Sequence, residues 1–390
     1  MAVSFADHRA PLLAGLVSAV TGTAASLGVV LAAMTAMGAN ASQTATAVVV
    51  ATVAYGLLSI VLSWRYRMPI SIVWSTPGAA LLAAGVGLGL NFSTAVGAFL
   101  VSGLLLTLTG LWPTLGRLVG KIPKPIASAM LGGVIFSFCV APFQASVQYP
   151  FIVLPVIAVW LVLYRFKPIW AAPVAIVLGY ALIPLQIPLS FANFKLLPDF
   201  AFVSPNFDLT AIVSVAIPLY LVTMASQNIP GVAIMGTFDY EVPLRPVLVS
   251  TGVSTMVGSF FGVHALNLAA ITAALNANEH AHPNPKRRWL ASFYGGFFYL
   301  LLALLAAPAV SFVLETPRVL ILAASGLALL GTMANSLTAA MEQQTLRIPA
   351  AISFLVGASG IVAFGIGAAF WALLAGLAVW LVIRPTSRAV

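Results

Sequence analysis

The sequence predicts an all-α integral membrane protein that crosses the bilayer many times. Three observations predict this class: 61% of the 390 residues are hydrophobic, only 6% are charged, and long apolar runs alternate with short polar loops. A soluble domain has about a quarter charged residues, so this chain lacks the polar groups that would cover a water-exposed surface. A helix needs about 20 apolar residues to cross the hydrocarbon core, and the chain length therefore allows about a dozen or more spans.

Fourteen transmembrane segments are predicted, seven on each side of an amphiphilic stretch at 187–207. The chain therefore divides into a first seven-segment repeat at 1–186, an extracytoplasmic linker at 187–207 and a second repeat at 208–390. Because seven is odd, the second repeat enters the membrane from the opposite side, which predicts an inverted repeat. The predicted segments are 11–37, 42–63, 76–90, 93–113, 124–145, 150–164, 168–186, 209–237, 243–258, 267–278, 289–313, 317–341, 348–364 and 366–383.

The basic residues set the predicted orientation. With the N-terminus in the cytoplasm, fifteen of the seventeen Lys and Arg residues fall on the cytoplasmic side, and only Lys195 and Arg318 fall outside. Cytoplasmic loops of membrane proteins carry such an excess of basic residues, so both termini are predicted to be cytoplasmic. The net charge of +9 does not indicate a nucleic-acid partner, because these residues are scattered singly or in small groups between apolar runs.

The third segment of each half is too short to cross the bilayer as a helix. In the first half, the segment Met68–Pro77 precedes a run that ends near Leu90, and in the second, Gly258–Asn267 precedes a run that ends near Asn278. About a dozen helical residues span roughly 20 Å of a core about 30 Å thick, so short extended strands are expected to cover the rest. Interrupted segments at matching positions of two halves are the best sequence pointer to a transporter's binding site.

Helix starts at these interruptions can bind an anion without a basic side chain. Ser75 and Thr76, followed by Pro77, form a typical helix start, and Asn267 is expected to cap the second half-helix in the same way. Facing helix N-termini offer free backbone N–H groups and partial positive charge. The alternative, that Ser75 and Thr76 merely begin a helix, is weakened by the matched second interruption.

Two further polar groups lie within apolar segments. Gln227 and Asn228 precede Pro230 in the eighth segment, where carboxamides in lipid need partners. Substrate contact is the preferred interpretation, and polar contact between helices is the alternative. The small, hydroxylated stretch at 21–26 in the first segment can serve the site or simply permit close helix packing, and both interpretations stay open.

Proton handling has two candidates. His264 is the only histidine at membrane depth, and its side chain titrates near physiological pH; a hydrogen-bonded structural histidine is an equally good interpretation. Glu342, at the cytoplasmic end of the twelfth segment, is a weaker candidate, because an interfacial carboxylate is the simpler interpretation. No metal framework or cofactor site is expected, and the single cysteine, Cys139, lies in an apolar run. An intramembrane enzyme is disfavoured, because no paired carboxylates lie at depth.

Three motifs together resemble the BenE-type benzoate/proton symporter family. They are the Pro-Ile-Ser-Ile-Val-Trp-Ser-Thr-Pro-Gly run at 69–78, the Ser-Gln-Asn-Ile-Pro-Gly run at 226–231 and the His-Ala-Leu-Asn run at 264–267. The resemblance covers essentially the whole chain and implies a secondary transporter of the bacterial inner membrane. This family is related in fold to the nucleobase permeases and the sulfate-permease transporters.

The resemblance implies how such a transporter would work. Segments one to four and eight to eleven would form a core domain, the others a gate domain, with substrate between segments three and ten. Alternating access would import benzoate or a similar aromatic carboxylate with one proton, which offsets a cost of roughly 2.3 kcal/mol per charge per 100 mV. The substrate contacts implied are Ser75, Thr76, Gln227, Asn228, His264 and Asn267.

The residues of the eighth and tenth segments also bear on the choice of substrate. Nucleobase permeases of this fold carry acidic residues around the eighth and tenth segments, where this chain has carboxamides and His264. This departure disfavours a nucleobase, although another small anion or a nucleobase-like compound remains the alternative substrate. Trp74, Phe260 and Phe261 are the candidates to contact the ring. A channel is less natural for a two-domain repeat, and a homodimer is one assembly among those the sequence leaves open.

Overall fold

A computed structural model describes residues 6–383, apart from 113, 116, 118–120 and 186–198. The described chain is mostly helical, as predicted, with one two-stranded sheet. Lys195 and most of the predicted linker lie outside the described residues. The elements are α1 (Ala6–Ala36), α2 (Ala41–Tyr66), β1 (Ile72–Trp74), α3 (Thr76–Ala84), α4 (Phe92–Leu111), α5 (Lys124–Gln148), α6 (Pro150–Phe166), α7 (Pro168–Leu182), α8 (Leu209–Gly236), α9 (Leu244–Ser259), β2 (Leu266–Leu268), α10 (Ala270–Ala277), α11 (Trp289–Leu304), α12 (Ala306–Leu314), α13 (Arg318–Met341), α14 (Arg347–Ala358) and α15 (Ala368–Ile383).

Every predicted segment coincides with helix, with two corrections. The predicted span at 289–313 is two helices, α11 and α12, which meet at a bend of 54°. The predicted span at 348–364 ends at Ala358, where a turn closed by paired bonds between Ala363 and Ile366 begins. By length and composition, six described helices can cross a membrane, or seven if α11 and α12 form one span, while α6, α7 and α15 are shorter and apolar.

The two short segments have the predicted form of a strand followed by a half-helix. Helix α3 has nine residues and α10 has eight, and each directly follows a three-residue strand. The strands pair antiparallel, with Ile72 opposite Leu268 and Trp74 opposite Leu266. The β-branched Ile72 and Val73 favour the extended backbone. Both half-helices therefore start from one shared strand crossing, the antiparallel pair of β1 and β2.

The helices form two packed groups. Helices α1–α4 and α8–α12 pack mainly with one another, and α5–α7 pack with α13–α15. Close approach depends on small residues: a β-carbon at Gly296 of α11 would lie 2.6 Å from the carbonyl oxygen of Gly56 in α2, and one at Gly133 of α5 would lie 2.3 Å from that of Phe354 in α14. Small residues allow such contacts between helices in a membrane, where burial supplies little driving force.

The described part of the predicted linker, 199–207, is non-helical and packs on the first group. Val203 N donates to the carbonyl oxygen of Phe260 at 2.8 Å, and Asn206 N donates to that of Ser93 at 2.9 Å. These bonds attach the chain between the two halves to the ends of α4 and α9. The described part of the linker is thus held against the same group of helices that contains both half-helices.

Candidate binding site

Two hydroxyl groups from neighbouring helices hold the strand crossing in place. Ile72 N donates to Ser59 Oγ of α2 at 2.8 Å, and Leu266 N donates to Thr255 Oγ1 of α9 at 2.9 Å. At both ends the ladder is extended, since Ser75 N donates to the Ala265 carbonyl at 3.0 Å and Ala269 N to the Ser71 carbonyl at 2.9 Å. In each half, the helix before the strand thus provides the acceptor for a strand N–H group that points away from the ladder. Buried backbone N–H groups need such a partner.

Helix α3 is capped by its own chain. Ser75 is the N-cap, as predicted, and its Oγ accepts a hydrogen bond from Gly78 N at 3.1 Å. The same oxygen accepts a second bond from the Thr223 hydroxyl of α8 at 2.9 Å. Ser75 is fully buried, whereas the next residue, Thr76, borders a cavity. Ser75 therefore caps the start of α3 from the buried side, whereas Thr76, at the same helix start, faces the cavity.

The predicted cap of α10 is wrong. The N-cap residue is Ala269, which has no side-chain oxygen, and Asn267 lies in β2, three positions before the first helical residue. From there its side chain cannot reach the first-turn N–H groups, and its Nδ2 instead donates to the Leu268 carbonyl at 2.9 Å. Within the described chain, the fully buried Oδ1 of Asn267 has no partner.

Helix α8 supplies the missing acceptors. Asn228 Oδ1 accepts from Leu268 N at 3.0 Å, and Gln227 Oε1 accepts from Ala270 N at 3.4 Å. Both carboxamides lie in a π-helical turn, Met224–Asn228, directly before Pro230 in the first turn of the next helical stretch. Proline has no N–H to continue the α-helical pattern, and π-turns of this kind often occur at functional sites. The wider turn brings two adjacent carboxamides to the start of α10.

A cavity of about 270 Å³ lies beside both half-helix starts. Thr76 and Pro77 of α3, Gln227 of α8 and Ala269 border it on one side, and residues of α7 and α13 border it on the other. It therefore lies between the two groups of helices. None of its lining residues carries a charge; the polar ones are Thr21, Thr23, Ser26, Tyr55, Thr76, Gln227, Thr272, Tyr299 and Thr332.

Three aromatic rings form one wall of this cavity. The Tyr55 ring meets Trp74 edge-on at 5.5 Å between centroids and Tyr299 edge-on at 4.6 Å. Trp74 Nε1 donates to Ser26 Oγ at 2.8 Å, which fixes the indole in place. Trp74 thus borders the cavity, and its contact with a substrate ring stays a prediction.

The other expected ring contacts lie elsewhere. Phe260 and Phe261 pack against Phe202, with centroids 5.5 Å and 5.9 Å away. Sequence reasoning missed Tyr55 and Tyr299 altogether. A tyrosine inside an apolar run looks like another hydrophobic residue, and only its hydroxyl group, which is costly to bury, could have drawn attention to it.

The six predicted contact residues separate into two layers. Thr76 and Gln227 border the cavity. Ser75, Asn228, His264 and Asn267 are buried behind it and are absent from its lining. In the strand register Asn267 lies opposite Val73, which does border the cavity.

His264 is attached to the start of α3. Its Nε2 lies 3.2 Å from the Ser75 carbonyl oxygen, which can only accept, so Nε2 carries the proton and donates. The ring also meets Phe99 edge-on at 6.4 Å. The histidine is therefore coupled to the N-cap of α3 through one hydrogen bond and has no direct access to the cavity.

The second proton candidate lies at the surface. Glu342 follows α13 and forms an ion pair with Lys124 at 3.6 Å, and 59% of its side chain is exposed. It does not border the cavity. In the described part of the chain, no group of three or more His, Cys, Asp or Glu residues could hold a metal ion.

A second cavity, also of about 270 Å³, lies at the opposite end of α3. Leu81 and Leu82 of α3 border it, together with Ser137 of α5, Ser214 of α8 and Ser359. The first cavity meets α3 at Thr76 and Pro77, so the half-helix stands between the two spaces. Like the first, this cavity has no charged lining residue.

Comparison with known sequences identifies relatives over nearly the whole chain. The sequence model of a family described as benzoate membrane transport protein (BenE) matches residues 6–382. The inner membrane protein YdcO of Escherichia coli K12 is 37% identical over 377 residues, which cover 96% of this chain and 95% of that protein. A benzoate membrane transport protein of Acinetobacter baylyi is 30% identical over 332 residues, covering 84% of this chain and 83% of the relative.

Solved structures with the same fold include anion transporters of low sequence identity. The transmembrane domain of the cyanobacterial bicarbonate transporter BicA has a TM-score of 0.59 and 17% identity, covering 96% of this chain and 98% of that one. SLC26A9 has a TM-score of 0.65 and 12% identity, covering 99% of this chain and 67% of that one. At these identities the likeness extends to the fold alone.

Proposed function

Because this chain belongs to the benzoate membrane transport protein family, we propose that it imports benzoate or a similar aromatic carboxylate together with a proton. The family is one of multi-pass membrane transporters and not of enzymes. The substrate, the proton and the direction of transport are the proposal. A relative named as an inner membrane protein supports the same membrane for this chain, and the charge distribution supports cytoplasmic termini.

The observation that carries the proposal is the uncharged cavity at the two half-helix starts. A carboxylate there would meet the positive ends of α3 and α10, through first-turn N–H groups other than Gly78 N and Ala270 N, and the side chains of Thr76 and Gln227. The ring would meet the wall of Trp74, Tyr55 and Tyr299. A volume of about 270 Å³ is slightly below that of pockets for drug-sized ligands, roughly 300 Å³ and more, and suits a single-ring ligand.

The proposed contact residues follow from the two layers. Thr76 and Gln227 touch the substrate, and Ser75 and Asn228 position the half-helix starts that bind it. Asn267 belongs to the second layer, since it lies opposite the cavity-lining Val73. We propose no role for Glu342 in proton coupling, because its exposed ion pair with Lys124 is remote from the cavity lining.

The transport cycle is proposed to be alternating access by two domains. Helices α1–α4 and α8–α12 would form the core and the others the gate, as fourteen segments in two inverted repeats at 1–186 and 208–390. The matching roles of Ser59 before β1 and Thr255 before β2 support the repeat. Cavities at both ends of α3 support the cycle, since each could open to one side of the membrane.

His264 is the proposed proton carrier. Its Nε2 donates to the Ser75 carbonyl, so a change in its protonation would act on the residue that caps α3. A co-transported proton makes uptake of a monoanion electroneutral, which removes a cost of roughly 2.3 kcal/mol per charge per 100 mV against an interior-negative potential.

Uptake into proteoliposomes tests the proposal. Purified full-length protein is reconstituted, and labelled benzoate uptake is measured with and without an imposed inward proton gradient. In the wild type, we expect saturable uptake that depends on the proton gradient. In His264→Gln, we expect uptake that no longer responds to the gradient. Absence of saturable uptake would refute the substrate; uptake that ignores the gradient would refute proton coupling.

A second candidate function is transport of a different small anion. The observation that favours it is that helix N-termini bind anions through backbone groups, which recognise charge more than shape. A thermal-shift panel with benzoate, bicarbonate, sulfate and uracil distinguishes the candidates, because a bound ligand stabilises the native state by mass action. Stabilisation by bicarbonate or sulfate without stabilisation by benzoate would favour this second function.

A further inference from the structure

The hydroxyl group of Tyr299 is buried without a protein partner. Tyr299 lies in α11, borders the first cavity and is only 2% exposed. The polar group beside its oxygen is the Thr272 hydroxyl, but within the described chain no group meets this oxygen with the distance and angles of a hydrogen bond. A buried hydroxyl without a partner destabilises a fold, so such groups are rare in native proteins and call for an explanation.

A neighbouring tyrosine shows that the fold can satisfy such a group. Tyr55 is 1% exposed, borders the same cavity and packs edge-on against the Tyr299 ring at 4.6 Å. Its hydroxyl donates to Thr52 Oγ1 of its own helix at 3.1 Å. These two tyrosines have similar burial and share one aromatic contact, but only the Tyr55 hydroxyl makes a well-formed hydrogen bond to the protein.

The Tyr299 hydroxyl lies beside the first turn of α10. A β-carbon built on Gly22 of α1 would lie 3.5 Å from this hydroxyl and 3.9 Å from Thr272 Oγ1. Both hydroxyls thus border the space that Gly22 leaves open. Thr272 is the third residue of α10, so this space adjoins the N-terminal turn of the half-helix.

We propose that Tyr299 is a substrate-contact residue whose hydroxyl donates a hydrogen bond to the carboxylate held at the start of α10. The proposal rests on the proposed function, because it takes a carboxylate as the ligand group. A hydroxyl that donates to an anion forms a stronger bond than one between neutral groups. Binding would give the hydroxyl an acceptor that the described chain does not supply with good geometry.

Three Tyr→Phe variants of the full-length protein test this role. Tyr299→Phe removes the unpaired hydroxyl at the cavity. Tyr180→Phe is the matched control, because the Tyr180 hydroxyl is also buried without a partner in the described chain but lies outside this cavity. Tyr55→Phe removes a hydroxyl that bonds to protein. Benzoate binding is measured by titration calorimetry, and the Tm of each empty protein is measured in the same detergent.

We expect Tyr299→Phe to weaken benzoate binding by about tenfold or more, the value of a hydrogen bond to a charged group. Its Tm without ligand should equal or exceed that of the wild type. Tyr180→Phe should retain the wild-type affinity, and Tyr55→Phe should lower the Tm because a satisfied bond is lost.

The outcomes separate this inference from the proposed function. Wild-type affinity for benzoate in Tyr299→Phe would overturn the contact while leaving benzoate transport intact. If the wild type binds only uracil or bicarbonate and Tyr299→Phe loses that binding, the benzoate proposal fails and the contact stands with another ligand. If no probe binds, a lower Tm in Tyr299→Phe would show that the hydroxyl has a protein partner, which overturns the inference, and an unchanged or higher Tm would support it.

Discussion

The two half-helices begin at the same crossing but are capped in different ways. Helix α3 is capped by Ser75, the residue directly before it in the chain. Helix α10 has Ala269 at that position, and its acceptors come from Gln227 and Asn228 of α8. Both solutions satisfy N–H groups around a helix start. The first is local, and the second depends on tertiary structure.

If the two halves are the proposed repeat, its two copies share the strand and half-helix but support them with different residues. Ser75 is fully buried, so the cap of α3 does not border the cavity. Gln227 both reaches the start of α10 and borders the cavity. In the proposed function, the α10 side would combine support and recognition in one pair of side chains, and we expect it to be the more sensitive of the two sites to mutation.

The largest effect is expected at Asn228, which supports the start of α10 from another helix. Asn228→Ala removes the acceptor of Leu268 N, which is fully buried, and should lower the free energy of unfolding by about 2 kcal/mol. Uptake should be lost with it, because the start of α10 is no longer held. Denaturant unfolding in detergent and proteoliposome uptake measure the two effects. A loss smaller than that of Ser75→Ala would reverse the ranking of the two caps.

Removing the Ser75 cap of α3 should lower the stability less. Ser75→Ala is expected to lower stability by about 1 kcal/mol, the usual value for an N-cap serine. The loss is limited because the Thr223 hydroxyl can turn to a carbonyl of its own helix. Ser75→Thr keeps an acceptor oxygen and serves as the control in the same unfolding assay. Equal loss in both variants would show that the cap bond is not what stabilises this site.

Gln227 should separate support from recognition. Its bond to Ala270 N is long, at 3.4 Å, so Gln227→Ala should change stability by no more than about 0.5 kcal/mol. The KM for uptake should nevertheless rise several-fold, because the side chain borders the cavity. Measuring KM and unfolding on the same preparation tests this. An unchanged KM would place Gln227 with Asn228 as a supporting residue only.

The smallest effect is expected outside both half-helix units. Glu342→Gln breaks an exposed ion pair with Lys124 and should change stability by less than about 0.5 kcal/mol. Uptake and its dependence on the proton gradient should match those of the wild type, measured side by side with His264→Gln. A variant that lost gradient dependence would return the proton site to this ion pair.

The sequence predicts the elements of this fold better than it predicts their contacts. Long apolar runs located the helices, and the hydroxyl followed by proline located the start of α3, since both signals are local. Asn267 was misassigned because the second half-helix was expected to copy the first. Its actual support comes from Asn228, 40 residues away from Leu268, and no local pattern records such a bond.

The cavity wall was the least predictable part. Tyr55 and Tyr299 lie in α2 and α11, and their positions against Trp74 depend on how three separate segments pack. His264 was singled out as titratable, but its attachment to the Ser75 carbonyl depends on the register of the two strands. Side-chain chemistry could be predicted from residue type, whereas which atoms meet depends on tertiary packing.

The ladder between β1 and β2 determines which parts of the protein can separate. Slipping it by one residue would exchange the faces of each strand, and opening it would leave N–H groups without partners where water is scarce. In the proposed transport cycle, the two half-helices are therefore expected to move as a single rigid body. A bound substrate would then be released when the opposing helices uncover it, with all of its binding groups still assembled, and the empty site would return already formed for the next molecule.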